Sequence, residues 1–492
     1  MKIPRPAALA AALALAAWAG PAAAAESLER IKTIVVLYAE NHSFDNIYGM
    51  FPGADGVANA TAEQKTQVDH DGKPLPHLPP VYREGKIDTR FPLSMPNGPF
   101  RIDLPPVNAK LDDLLPNPTH GYYQHKEQID GGRNDRFVAM NGAAGSWTMG
   151  YIDGSKLKMW QWAKRYTLAD RFFMAAMGGS YANHQWLICA CMPQWPEAPQ
   201  RQRARVDEHD NLVRRPTSKA SVLDGPVRTF DGMYTPDGYA IGSASPPYQP
   251  SDIPPGKELE LADPAKFPLP PQKAKTIGDT LSAKGITWAW YAAGWDAAVA
   301  DGTRPSTEKR TVIDNEAPGG LYFRTHHHPF NFYEKYAPGT AARREHLRDG
   351  REFEAAIAKG TLPQVSFYKP SGRLNQHPYL STFVDGDEHL AGMLEKLEKS
   401  PQWPNMLVIV TYDDHGGYWD HVPPPRGEGW SDRWGPGSRV PAILVGPMVK
   451  KGYVDHTTYD TTSIIKLLAR RFGLEPLPGV RKNMGDLTGA LE

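Results

Sequence analysis

Val408-Ile-Val-Thr-Tyr-Asp-Asp-His-Gly-Gly-Tyr-Trp-Asp-His-Val422 decides how this chain is read. It opens as a short run of β-branched and aliphatic residues, the pattern of a strand buried on both faces, and stops abruptly at two carboxylates, a histidine and a Gly-Gly turn. In open parallel α/β sheets ligands bind just beyond the carboxyl ends of strands, so Asp413 and Asp414 stand where a site is expected. Near the N-terminus Ile34-Val-Val-Leu-Tyr-Ala-Glu-Asn-His-Ser-Phe-Asp45 repeats the design, an apolar strand running into Glu40-Asn41-His42. Adjacent carboxylates repel, and keeping both ionised at a sheet mouth needs a cation or many donors. The oxygen-only set Glu40, Asn41, Asp413 and Asp414 suits a divalent ion such as Ca²⁺, Mg²⁺ or Mn²⁺, while nearby histidines admit zinc.

Outward from these two strand ends, the rhythm is α/β. Strands are expected at Thr287–Tyr291, Gln364–Pro370 and Val440–Gly446, the last of them closing the sheet. Helices are expected at Ile277–Lys284, from about Asp387 to Lys399, after Asn134–Val138, and over Thr461–Phe472, where Gly473 provides the cap. Gly178-Gly179-Ser180 sits where another helix begins. Residues 51–118 are Pro-rich and residues 194–275 lack periodicity; both read as insertions, the second as a small lid. With 492 residues, 40% of them hydrophobic, the chain is long enough for one large domain over residues 26–492.

Residues 1–25 carry a basic start, a short apolar middle and an Ala-Ala-Ala ending, a signal peptide that implies export to the periplasm or the medium. No stretch is expected to span a membrane. The formal net charge is +0, from 55 basic and 55 acidic residues, so no global field recruits nucleic acid. Cys189 and Cys191 lie two apart in an apolar run and read as buried packing residues; a disulfide between them is not expected at that spacing, although export permits one.

Most of the 16 histidines fall in the polar segments after strands or in loops: His42, His120, His125, His184, His326, His327, His328, His377, His415 and His421. Together they point to an anion site that also moves protons. Ser180 is the candidate nucleophile, since a hydroxyl at a helix start shares the unsatisfied amides and positive end of the helix. An ordinary helix cap is the alternative for the serine alone; the metal site elsewhere tips the balance, because a bound metal can activate a serine without an adjacent base.

Glu40-Asn-His-Ser-Phe-Asp-Asn-Ile-Tyr-Gly49 resembles the E-N-x-S-F-D-x-x-F-G signature of the bacterial phosphoesterases that include the phospholipases C and a group of acid phosphatases, relatives of the alkaline phosphatase superfamily. Tyr48 replaces the Phe. Further blocks follow in order: Gly179 to His184, His326-His327-x-Pro329-Phe330, Lys369-Pro370 to His377-Pro378, Tyr412 to Gly417 and Asp420 to Pro424. The resemblance implies an alkaline-phosphatase-like α/β sandwich, with a central, mostly parallel sheet flanked by helices. It implies a divalent metal on Glu40, Asn41, Asp413 and Asp414 and a phosphoseryl intermediate on Ser180. His120, His326, His327 and His377 would surround the phosphoryl oxygens or serve the leaving group, with His125 close enough to compete for the place of His120. The phospholipases commonly carry Thr at the position of Ser180 and an extended C-terminal region, so the resemblance leans to a phosphomonoesterase of acid phosphatase type. A phospholipase C is the rival, and a binding module for phosphorylated ligands the non-enzymatic alternative. An acidic optimum is expected if the histidines must be protonated to hold a phosphate dianion.

Overall fold

The computed structural model describes residues 24–492 apart from residue 318; the expected signal peptide falls, save its last two residues, outside them. Eight strands form one sheet: β1 (Thr33–Ala39), β2 (Thr167–Ala169), β3 (Trp288–Ala292), β4 (Leu347–Asp349), β5 (Val365–Lys369), β6 (Met406–Tyr412), β7 (Ala442–Val445) and β8 (Tyr453–Asp455). Their order is β8-β2-β7-β6-β1-β5-β3-β4. Only β7 runs against the others, so the sheet is mostly parallel, as the sequence predicts. Every residue of β1 and β6 is buried, which is why both read as unbroken apolar runs; burying each Val, Leu or Ile contributes roughly 1.5–3 kcal/mol.

Helices cover the sheet in two groups. In one, α1 (Lys158–Arg165) packs on α5 (Phe383–Glu398), which also meets α4 (Gly350–Lys359). In the other, α2 (Ser180–Cys189) packs on α3 (Ile277–Ala283) and α6 (Thr462–Phe472). Gly473 closes α6 at φ +61°, a conformation glycine adopts without a Cβ penalty. Among the described residues no helix is long and apolar enough to cross a membrane.

Four expectations are corrected. Helix α5 starts at Phe383, four residues before the expected Asp387, because the Thr382 hydroxyl accepts from the Asp385 amide and caps it there. β7 is shorter than expected and β8 follows it. After Asn134 the chain makes turns and a 3-10 segment, Gly145–Met149, in place of an α-helix; Asn134, Gly142 and Gly145 all take positive φ, which a helix cannot accommodate. Cys189 and Cys191 form a disulfide. The chain reverses at Ala190 in the left-handed conformation at the end of α2, bringing the two Cα atoms to 5.1 Å, within bonding reach.

Candidate active site

The register of the sheet builds the site. Ala39 pairs with Tyr412 at the carboxyl ends of β1 and β6, so the next residues, Glu40-Asn41 and Asp413-Asp414, emerge side by side. The Asp413 amide donates to the Ala39 carbonyl at 3.2 Å, and the Asn41 amide to Asp413 Oδ1 at 3.1 Å. Asn41 takes φ +56°, a left-handed turn that asparagine tolerates better than most residues. Gly416, at φ +61°, allows close passage: a Cβ there would lie 2.2 Å from the Asn41 carbonyl oxygen.

Ser180, the first residue of α2 after Gly179, brings its hydroxyl over this cluster. Its Oγ lies 3.2 Å from Glu40 Oε2, 3.3 Å from Asn41 Oδ1 and 3.1 Å from Asp414 Oδ2. All four acidic or amide residues are fully buried and Ser180 is nearly so. Burial, followed by the neighbouring Glu40 charge, pushes the Asp413 carboxyl up to about 7, with Lys369 opposing. Asp414 is raised further, by burial and then by Asp413.

Two observations fit this cluster to a metal ion. Asp413 Oδ2 is buried without a hydrogen bond; the nearby His184 Nδ1, at 3.7 Å, belongs to a ring that burial keeps neutral. Asn41 Oδ1 faces only oxygen atoms, and exchanging its amide atoms would turn Nδ2 toward Glu40, Asp413 and Ser180. That exchange would require His120 Nε2 to donate. His120 Nδ1 already lies 2.7 Å from the Pro118 carbonyl and must carry the proton there, while burial lowers the imidazole's pKa and disfavours a second proton. The unexchanged orientation keeps the hydrogen bond from Asn41 Nδ2 to His120 Nε2 at 3.1 Å and leaves Oδ1 turned to the carboxylates. It leaves a convergent set of hard oxygen donors, suited to a divalent cation.

A pocket of about 350 Å³ opens above Ser180, lined among others by Thr119, His120, Ser243, Arg324, His326 and His377. Of the four histidines singled out in the sequence, His120, His326 and His377 reach this wall. His327 does not: its Nδ1 lies 3.1 Å from Glu40 Oε1, behind the carboxylate. His125 is buried behind His120, accepting from the Gly178 amide at 3.2 Å and stacking on His415 at 3.7 Å between ring centres. Burial pushes His120, His326, His327 and His377 below the usual imidazole range, His377 to about 3, opposite in direction to the protonated rings expected for a dianion site. His421 joins Asp45, Asp420 and Arg439 in a separate buried network.

Three residues outside the expected metal and catalytic sets complete the picture. Lys369, at the end of β5 and buried, pairs with Glu40 Oε1 and donates to the Tyr38 carbonyl at 3.2 Å. Arg324 joins the pocket wall just before the paired histidines, and His184 donates from Nδ1 to the Ser180 carbonyl at 2.7 Å. The Lys369-Pro370 block holds a signal for the lysine; nothing local marks an arginine in a loop as facing a pocket.

The model of the Phosphoesterase family matches residues 31–475. The chain belongs to the Phosphoesterase family. This phosphoesterase is 22% identical to the "Non-hemolytic phospholipase C" of Pseudomonas aeruginosa, over 94% of its own length and 57% of the relative's. It is 30% identical over 161 residues to "Phospholipase C B" of Mycobacterium tuberculosis, covering 28% of this chain and 31% of that one. The chain thus spans somewhat over half of the first relative and about a third of the second. Among solved structures it is similar to the PsFucS1 sulfatase from Pseudoalteromonas sp., at TM-score 0.36 and 11% identity over 100% of this chain and 77% of that one. Murine ectonucleotide pyrophosphatase / phosphodiesterase 5 gives 0.32 and 12%, over 68% of this chain and 94% of that one.

Proposed function

We propose that this phosphoesterase hydrolyses phosphomonoesters through a phosphoseryl intermediate on Ser180, in the manner of an acid phosphatase. The observation that carries the reading is the Ser180 hydroxyl, at the start of a helix, over four converging oxygen ligands and beneath a pocket walled by polar side chains. Glu40, Asn41, Asp413 and Asp414 would hold a divalent ion. When bound there, it supplies the positive charge that lowers the pKa of the serine hydroxyl and offsets charge on the phosphoryl group.

Ser180 Oγ attacks phosphorus as the bond to the leaving oxygen breaks, and water later cleaves the phosphoserine. The amides at the start of α2 face the incoming anion. His120, with Nδ1 on the Pro118 carbonyl and Nε2 accepting from Asn41 Nδ2, orients Asn41, while His326 and His377 stand around the phosphoryl oxygens and the leaving side. Their buried rings hold a proton only when an anion is present to share it, which ties proton delivery to substrate binding. His327 and Lys369 both bear on Glu40 Oε1, leaving Oε2 turned toward Ser180. Residues 241–243, from the 194–275 insertion, reach the pocket wall and support its reading as a lid. The signal-like N-terminus supports export.

The names of the curated relatives make phospholipase C the second reading, and its test is direct. Phosphate release from p-nitrophenyl phosphate is compared with choline-phosphate release from phosphatidylcholine, with Ser180→Ala beside the wild type. Faster monoester hydrolysis, lost in the variant, upholds the proposal; faster lipid cleavage replaces it with the phospholipase; turnover of neither leaves a binding module.

A further inference from the structure

We propose that Arg324 is the residue that makes this site select a phosphate monoester dianion over a phosphodiester, by placing a permanent positive charge at the pocket wall. The proposal rests on the hydrolase reading above and concerns which esters the site prefers.

The pocket wall contains Arg324 and, among the described residues, no other Lys or Arg. Lys369, the nearest alternative, is buried and committed to Glu40 and the Tyr38 carbonyl. Arg324 immediately precedes the turn Thr325–His327, which sets it beside His326. Its hydrogen bonding is sparse: a single contact, Nη1 to Asp314 Oδ1 at 3.4 Å, with Asp314 itself partly exposed. The guanidinium lies 5.0 Å over the Tyr322 ring, which holds it in place without using its N–H groups. Most of its donors are therefore unclaimed by the protein, on the wall that Ser180, His120, His326 and His377 share.

A guanidinium binds a phosphate through two parallel N–H···O bonds, and it stays charged at any pH the protein survives. A terminal phosphate carries a second negative charge and an additional free oxygen; a diester has one charge and an alkyl group in that place. An unspent arginine is thus rewarded by the monoester and largely wasted on the diester. Its position also lets it bind the product, inorganic phosphate.

The test compares Arg324→Gln and Arg324→Lys with the wild type in the metal-supplemented full chain, on p-nitrophenyl phosphate and bis(p-nitrophenyl) phosphate. A charge-assisted bidentate contact predicts a roughly 10- to 100-fold loss of kcat/KM on the monoester for Arg324→Gln, mostly in KM. The diester should lose under about threefold, and Arg324→Lys should fall between. Competitive inhibition by inorganic phosphate should weaken in step with the monoester. Equal losses on both substrates, or no loss on the monoester, overturn the proposal. Phosphate binding to Ser180→Ala with and without Arg324→Gln, followed by calorimetry, separates the two readings: should the chain hydrolyse neither ester, a weaker phosphate affinity in the double variant still upholds the arginine contact, and an unchanged one refutes it.

Discussion

Replacing Arg439 with Met tests whether a buried charge network, remote from the reacting atoms, holds the two site-bearing loops together. Arg439 is fully buried. Its Nε lies 2.8 Å from Asp420 Oδ1 and its Nη2 3.1 Å from Asp45 Oδ1. Nη1 donates to the carbonyls of Asp55 at 2.7 Å and Asp170 at 2.8 Å. Asp45 follows the Glu40-Asn41 turn and Asp420 follows the Asp413-Asp414 turn, so a single side chain clamps both. Methionine fills most of the volume but leaves the buried Asp420 carboxylate without its cation and Asp45 with His421 alone, 2.6 Å away. Breaking a buried pair in this way costs about 3–5 kcal/mol, because the remaining charge stays desolvated. At a urea slope of about 3 kcal/mol/M, that lowers the unfolding midpoint by roughly 1–1.7 M, read by tryptophan fluorescence. Combining Arg439→Met with Asp45→Asn and Asp420→Asn removes the stranded charges and should recover at least half the loss. A single-variant loss below about 1 kcal/mol, or a triple variant no more stable than the single, would refute the argument that uncompensated charge is the cost.

Three further outcomes are expected. Asp414→Asn should reduce the bound divalent metal, measured by elemental analysis after dialysis, to well under half the wild-type content, while Asp45→Asn should retain most of it. Acid-quenched enzyme incubated with ³²P-labelled monoester should carry label on the chain, and Ser180→Ala should carry none. The Asp413 carboxyl, pushed up to about 7 by burial and Glu40, titrates near neutrality in chelator. Its pKa when folded exceeds the unfolded value of about 4, so its contribution favours the metal-free fold below about pH 4 and is lost as pH rises through about 7. Asp413→Asn should therefore flatten the fall in melting temperature between about pH 5 and 8 in EDTA, and an unchanged slope would count against the shift.

Much of the site is legible because strand chemistry is local. A run such as Val408-Ile-Val-Thr-Tyr announces a buried strand, and polar residues that follow it without a break announce a mouth. Two such runs make the proposed metal set visible from residue order alone. Ser180 is legible for a similar reason, since Gly178-Gly179 marks a helix start. Two of the expectations that went astray turned on one atom or one torsion: the Thr382 hydroxyl that starts α5 early, and the left-handed Ala190 that closes the disulfide.

The sequence by itself determined the α/β rhythm, the chemical type of the donors and the places where strands give way to them. Tertiary structure decided their register and their partners. Pairing of Ala39 with Tyr412 brings Glu40 against Asp413 across a separation no local pattern records. It also decided that His120 reaches the pocket while His125 lies behind it, that His327 faces Glu40, and that Arg324 and Lys369, both cations in sequence, divide into a pocket-facing charge and a buried counterion. The physical reason is that residue type fixes what a side chain can do, whereas burial and the nearest opposite charge, which depend on contacts hundreds of residues apart, fix what it does.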